Sequence, residues 1–140
     1  MPKENLALFL KSIFARILFI LKHNNKILIV RRSNEEEIFP GYYEFPGGSI
    51  EIGETPEEAL KREYMEEVNL KIKIIDILRV FSYTFKDKEI IELVYTVSLD
   101  DDPKNARLSN EHDDLQWITK EEIEKYDLSE EILKSIKKNS

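Results

Sequence analysis

Three glutamates, Glu63, Glu66 and Glu67, stand three and four residues apart. On a helix, at about 100° per residue, they share an arc of about 100°. Like charges at that spacing repel by roughly a few tenths of a kcal/mol per pair. The cost rises with partial burial, where one carboxylate then keeps its proton. A hard divalent cation removes the penalty, because Mg²⁺ and Mn²⁺ prefer oxygen ligands. The chemistry on offer is therefore that of a metal site able to activate water and neutralise anionic oxygens. Taken alone, a Glu-rich helix is more often a solvated acidic face. The segment ahead of it changes that reading. All the glycines of the chain, Gly41, Gly47, Gly48 and Gly53, fall in one window, with Pro40, Pro46 and Pro56 in or beside it. Backbone in special conformations leading to a helix N-terminus makes a platform for phosphate and metal.

The elements that must position these groups follow from local signals. Thr55 can cap a helix, Pro56 suits its first position, and Glu58 completes a capping box. The helix should run to Val68, with Asn69 in the left-handed conformation that ends it. Leu60, Tyr64 and Val68 form an apolar stripe, and Ala59 leaves room within the carboxylate arc. The glutamates thus sit beside the buried face rather than opposite it. Residues 13–22 read as a strand buried on both faces. His23, Asn24 and Asn25 supply a turn, and residues 26–32 return as a strand. Residues 33–42 read as a loop. Residues 71–83 and 89–99 read as strands joined by a turn at 86–88. A polar loop at 100–114 leads to a short strand at 115–118, and residues 120–126 and 129–137 are helical by pattern. Residues 1–12 form an extension, and residues 13–140 one mixed α+β domain.

The bulk numbers restrict the function. The chain has 140 residues and a net charge of −7, from 28 acidic and 21 basic residues. A nucleic-acid polymer is not the expected partner, since such binders lean basic. There is no cysteine, which excludes disulfides, thiolate metal sites and a cysteine nucleophile, and is compatible with the cytoplasm as compartment. The apolar run 6–21 is interrupted by Lys11 and Arg16, so it reads as a buried strand rather than a membrane span or leader. Leu6 to Leu10 could cover a sheet edge or join a dimer, so monomer and homodimer both stay open.

The segment from Phe45 to Leu70 resembles the Nudix box. That pattern is Gly, five residues, Glu, seven residues, Arg-Glu, an aliphatic residue, any residue, Glu-Glu, any residue, Gly, an aliphatic residue. Gly48, Glu54, Arg62, Glu63, Glu66, Glu67 and Leu70 fall in register. Tyr64 replaces the usual aliphatic residue but is large and mostly apolar. Asn69 replaces the final Gly and tolerates the same backbone conformation. The resemblance implies an α/β/α sandwich, a mixed sheet flanked by the carboxylate helix and a C-terminal helix. It implies a metal-dependent hydrolase of a diphosphate linkage, using Mg²⁺ or Mn²⁺. Glu66 and Glu67 would be metal ligands, with Glu63 a further ligand or the base that activates water. The carbonyl of Gly47 would be another ligand. Arg62 and Glu54 would orient the carboxylates. Glu111, six residues before Trp117, matches a metal-binding or basic glutamate in a loop, whereas its neighbour His112 reads as solvated.

The same resemblance places substrate contacts at Arg32, at Glu44, Phe45 and Pro46 ahead of the box, and at Tyr83 and Phe85. Residues 83–88 look like the hairpin of MutT-type nucleotide hydrolases. The substrate it implies first is a nucleoside triphosphate, ordinary or modified, cut to monophosphate and pyrophosphate. ADP-ribose hydrolases often carry a proline about 15 residues past the box, where this chain has Phe85 and Lys86. Members specific for 8-oxoguanine carry an asparagine near the position of Ser129 and Glu130. The alternatives are an ADP-ribose or dinucleoside polyphosphate hydrolase, and a regulatory domain that binds nucleotide without turnover.

Overall fold

The computed structural model describes residues 13–139. The expected extension at 1–12, with the edge-covering or dimer-forming role of Leu6 to Leu10, lies outside the described residues.

Strand β1 (Ile13–His23) is the hub of the sheet. It runs parallel to β6 (Lys88–Leu99), from Ile13 opposite Glu89 to Leu21 opposite Val97. Its other edge pairs antiparallel with β4 (Gly47–Ser49), and then, at Lys22 and His23, with β2 (Lys26–Arg32). Beyond β2 lie β3 (Tyr43–Glu44) and β7 (His112–Ile118), and β5 (Ile72–Phe85) closes the far side against β6. Asn24 and Asn25 both take positive φ, the backbone that a two-residue hairpin turn requires.

Period-two alternation along β1 divides the core. Ile17, Phe19 and Leu21 point to one side and meet Ala59, Leu60, Tyr64 and Val68 of helix α1 (Pro56–Val68). Leu18 and Ile20 point to the other side and meet Phe45 and, from helix α2 (Glu130–Lys138), Ile132 and Ile136. The result is the α/β/α sandwich with a mixed sheet that the box resemblance implied. Each fully buried aliphatic or aromatic side chain contributes about 1.5–3 kcal/mol. A strand apolar on both faces is thus buried by a helix on each side.

The capping box at α1 is formed in both directions, with Thr55 Oγ1 accepting from Glu58 N and Glu58 Oε1 accepting from Thr55 N, each at 3.2 Å. Asn69 ends the helix at φ 56° and ψ 41°. Tyr64 is buried and meets the Phe19 ring edge-on at 5.9 Å, so an aromatic ring serves where an aliphatic side chain is usual.

Two stretches differ from expectation. Strand β7 begins at His112, three residues before the expected start, because pairing with β2 continues past a bulge at Arg31/Arg32. Its polar opening residues hid the strand: Asp113 pairs with Arg31 and Asp114 accepts from the Tyr43 hydroxyl. Residues Lys120–Lys125 form a 3₁₀ turn rather than an α-helix, capped by Thr119 and Glu122. Six residues with only Ile123 against the core do not sustain a longer helix. Among the described residues no helix is long and apolar enough to cross a membrane.

Candidate active site

The glycines before α1 differ in what they allow. A side chain on Gly47 would run into the backbone of Ile17 and Leu18 in β1. One on Gly48 would run into the carboxylate of Glu63. The first absence lets β4 lie against β1. The second leaves a cradle for a carboxylate, a direct link between loop sequence and site.

Arg62 organises the glutamates around it. Its Nε and Nη2 donate to both oxygens of Glu54, each at 2.8 Å, and Nη2 also donates to the Ser49 carbonyl at 3.0 Å. Its Nη1 donates to Glu63 at 2.7 Å and to Glu66 at 3.2 Å. The bidentate pairing with Arg62 holds Glu54 down at about 2. Glu63 is buried and its carboxyl is pushed up, chiefly by burial, with Arg62 opposing and Glu67 and Glu66 adding to the rise. Glu66 stays exposed.

Glu67 is 3% exposed and faces the other way, toward the loop before β7. Ser109 Oγ donates to its Oε2 at 3.0 Å. Glu111 stands beside the same carboxylate, and the nearness of Glu67 raises the Glu111 carboxyl, with burial adding to the rise. His112 is not solvated as expected: its side chain is 7% exposed, with Nδ1 2.8 Å from Glu67 Oε2 and Nε2 3.2 Å from Glu44 Oε2. The Nδ1 contact is an ion pair whose alignment falls short of a hydrogen bond. Burial alone would lower the imidazole, but the two carboxylates override it and push it up to about 9. Sequence could not foresee this, because the partners come from α1 and β3.

The donor set suits a hard divalent cation. Glu63, Glu66, Glu67 and Glu111 gather in one patch, Glu63 over a glycine cradle, and their charge is offset in part by the Arg62 guanidinium. Among the described residues no three acidic or imidazole groups converge on one point. Glu63 and Glu66 are turned to Arg62, and Glu67 to Ser109 and His112. A bound cation would have to draw them together in competition with those partners.

Beside this patch lies a cavity of about 410 Å³. Its walls include Phe39, Tyr42, Phe81, Tyr83 and Phe85, with Ser129 to Ile132 at the start of α2. Its polar wall is a buried charge network. Arg16 donates to Glu92 at 2.5 Å and to Glu44 at 3.3 Å, and Tyr83 donates to Glu92 at 3.3 Å. Glu44 is held at about 2: burial would raise it, but Arg16, His112 and Arg32 outweigh burial. Glu92 goes the other way, raised chiefly by burial.

Of the expected substrate contacts, Arg32, Glu44, Tyr83 and Phe85 line this cavity. Arg32 is already engaged by Glu44 at 3.0 Å, Glu36 at 3.3 Å and the Ile38 carbonyl at 2.8 Å. Phe45 and Pro46 do not line it. Phe45 is fully buried in the core, and the Pro46 carbonyl accepts from Phe19 N at 3.0 Å. The fully buried Phe45 ring offers no surface to this cavity. Arg16, Phe81 and Glu92 were missed. Their signal was a lone Arg16 inside a strand otherwise buried on both faces, which demands an acidic partner. The lone Glu92 in the apolar run of β6 is that partner.

The family model of the NUDIX domain matches residues 12–138. The nucleoside triphosphatase NudI of Enterobacter sp. (strain 638) is 30% identical over 120 residues, which span 79% of this chain and 85% of that protein. The MutT protein of Methanosarcina mazei Go1 has a similar structure, with TM-score 0.76 and 20% identity over 92% of this chain and 96% of that one. So has an Ap4A hydrolase of C. elegans, with TM-score 0.73 and 22% identity over 91% and 94%. Enzymes of the matched family act on small nucleotide substrates and depend in general on divalent metal ions. The glycine cradle, the arginine-centred glutamates and the sandwich that presents them thus agree with the family match, and the chain belongs to the Nudix hydrolases, enzymes acting on phosphoric anhydride bonds.

Proposed function

We propose that the chain is a Mg²⁺-dependent pyrophosphohydrolase, with Mn²⁺ able to substitute, that cleaves a nucleoside triphosphate to the monophosphate and pyrophosphate. The observation that carries this reading is an adjacency. An aromatic cavity of about 410 Å³, within the usual range for small-ligand sites, lies one side chain away from the carboxylate patch. Glu44 stands in the wall of the first and Glu67 in the second, with His112 between them. The name of the NudI relative, a nucleoside triphosphatase, supports the same reading.

In this scheme Glu66, Glu67 and the Gly47 carbonyl hold the cation, with Glu63 and Glu111 supplying a further ligand and the base. When bound, the cation lowers the pKa of water and neutralises phosphoryl charge. The water oxygen bonds to phosphorus as the bridging P–O bond of the anhydride breaks. The water proton passes to a glutamate, and pyrophosphate leaves. Arg62, anchored by Glu54, orients the carboxylates. Tyr42, Tyr83 and Phe85 offer ring faces to a base, and Arg32 and Arg16 keep the buried acids of the wall charge-balanced.

The test is a panel of nucleoside triphosphates, ADP-ribose, dinucleoside polyphosphates and NADH, each with Mg²⁺ and with Mn²⁺. Products are resolved by anion exchange. Pyrophosphate and monophosphate in equal amounts from a triphosphate are expected. Efficient turnover of ADP-ribose or a dinucleoside polyphosphate, with triphosphates left intact, would replace this reading.

A further inference from the structure

His112 opens β7 opposite Arg32 of β2 and lies between two buried carboxylates from different elements. On one side Nε2 meets Glu44 Oε2 at 3.2 Å, and Glu44 is fixed in turn by Arg32 at 3.0 Å and Arg16 at 3.3 Å. On the other side Nδ1 meets Glu67 Oε2 at 2.8 Å. Ser109 Oγ donates to that same oxygen at 3.0 Å. The loop carrying both residues is tied to the end of α1, with Ser109 N donating to the Glu67 carbonyl at 3.1 Å and Arg107 N to the Val68 carbonyl at 2.9 Å. The cavity wall, the imidazole and the helix carboxylate thus form one connected run.

Both nitrogen contacts on Glu67 and Glu44 fall on Oε2. A carboxylate with one oxygen so held has a fixed plane, and its other oxygen a fixed direction. A flat ring with nitrogens on opposite edges can hold two acids at a set separation, which a flexible lysine cannot do. Losing the bridge would leave Glu44 and Glu67, at 6% and 3% exposure, each short of a partner in a poorly solvated place.

We propose that His112 is a positioning residue: it fixes Oε2 of Glu67 so that Oε1 is left for the divalent cation, and through Glu44 it sets the carboxylate helix against the wall of the nucleoside cavity. This rests on the metal-site reading above.

The test uses the full chain and Mn²⁺ alone, titrated by calorimetry without nucleotide. His112→Ala should weaken Mn²⁺ binding by roughly 10–100-fold, the usual range for groups that orient a metal ligand. It should lower kcat more than it changes KM. Two conservative variants separate positioning from mere stability. The amide of His112→Asn stands near the place of Nδ1 and should keep most of the Mn²⁺ affinity through Glu67. The amide of His112→Gln reaches the place of Nε2 and Glu44, and should bind Mn²⁺ as weakly as the alanine variant. Should the alanine variant fail to fold, the Asn–Gln contrast carries the test. Unchanged Mn²⁺ affinity in His112→Ala overturns the proposal, as does an Asn variant no better than the Gln variant. Glu66→Gln serves as control. If it weakens Mn²⁺ binding and His112→Ala does not, only the His112 proposal fails; if the wild type binds no Mn²⁺, the metal-site reading fails first.

Discussion

The carboxylate patch and the aromatic cavity are neighbours built on opposite plans. Most of the patch comes from one stretch: Gly48, Glu54, Arg62, Glu63, Glu66 and Glu67 are local in sequence, and a single capped helix sets the angles of the last four. The cavity draws Arg16 from β1, Glu44 from β3, Tyr83 from β5, Glu92 from β6 and Ser129 to Ile132 from the start of α2. Their electrostatics differ accordingly. In the patch, like charges are crowded around one guanidinium, an arrangement that a cation would relieve. In the cavity wall, acids and arginines are already matched within the protein. The patch is poised to take up charge, whereas the wall is a finished network that shapes a surface.

The widest gap between the two regions should appear when each loses one charge. Glu67→Gln, and likewise Glu66→Gln, should cut turnover by roughly 10²–10⁴-fold on every substrate, as expected for groups acting on the reacting water. Thermal unfolding should change little for Glu66→Gln, whose side chain is exposed, whereas Glu67→Gln also removes the buried partner of His112. Wild-type rates in metal-replete buffer would break the assignment. Arg16→Met should do the reverse. It leaves Glu44 and Glu92 buried without their shared cation and should cost about 3–5 kcal/mol of stability in a denaturant titration. A fully stable Arg16→Met protein would mean that the wall is solvated rather than internally matched.

Two adjacent glycines sharpen the same contrast. Gly48→Ala should displace the Glu63 carboxylate and reduce activity while the sheet stays intact. Gly47→Ala should push β4 off β1 and cost roughly 1–3 kcal/mol, as overpacking does. Equal effects of the two on melting temperature would show that Gly48 serves the backbone rather than Glu63.

The smallest effect is on pH. Glu44 is held at about 2, below its unfolded value of 4.5, so its charge contributes stability above that unfolded value. That contribution is lost as pH falls from about 4.5 toward 2. Glu44→Gln should therefore flatten the acid limb of the stability profile in that window. An unaltered acid limb would place the acid sensitivity elsewhere.

These contrasts follow what the chain made readable. Thr55, Pro56, Glu58 and Asn69 announced the bounds of α1, and the three- and four-residue spacing of its glutamates announced their shared face. The two-faced burial of β1 was legible in its unbroken apolar run. His112 was misread because nothing near it in sequence shows that Glu44 and Glu67 flank it. Arg16 was noticed only as an interruption, since its partner Glu92 is 76 residues away.

The sequence by itself thus determined the helix, its caps and the register of the box, because each depends on backbone preferences and side-chain periods that act within a few residues. Only the tertiary structure decided the cavity, the pairing of Arg16 with Glu92 and Glu44, and the place of His112 between two acids. Those depend on strand order and on the parallel pairing of β1 with β6, which bring groups from distant segments into one poorly solvated space where each charge must find its partner.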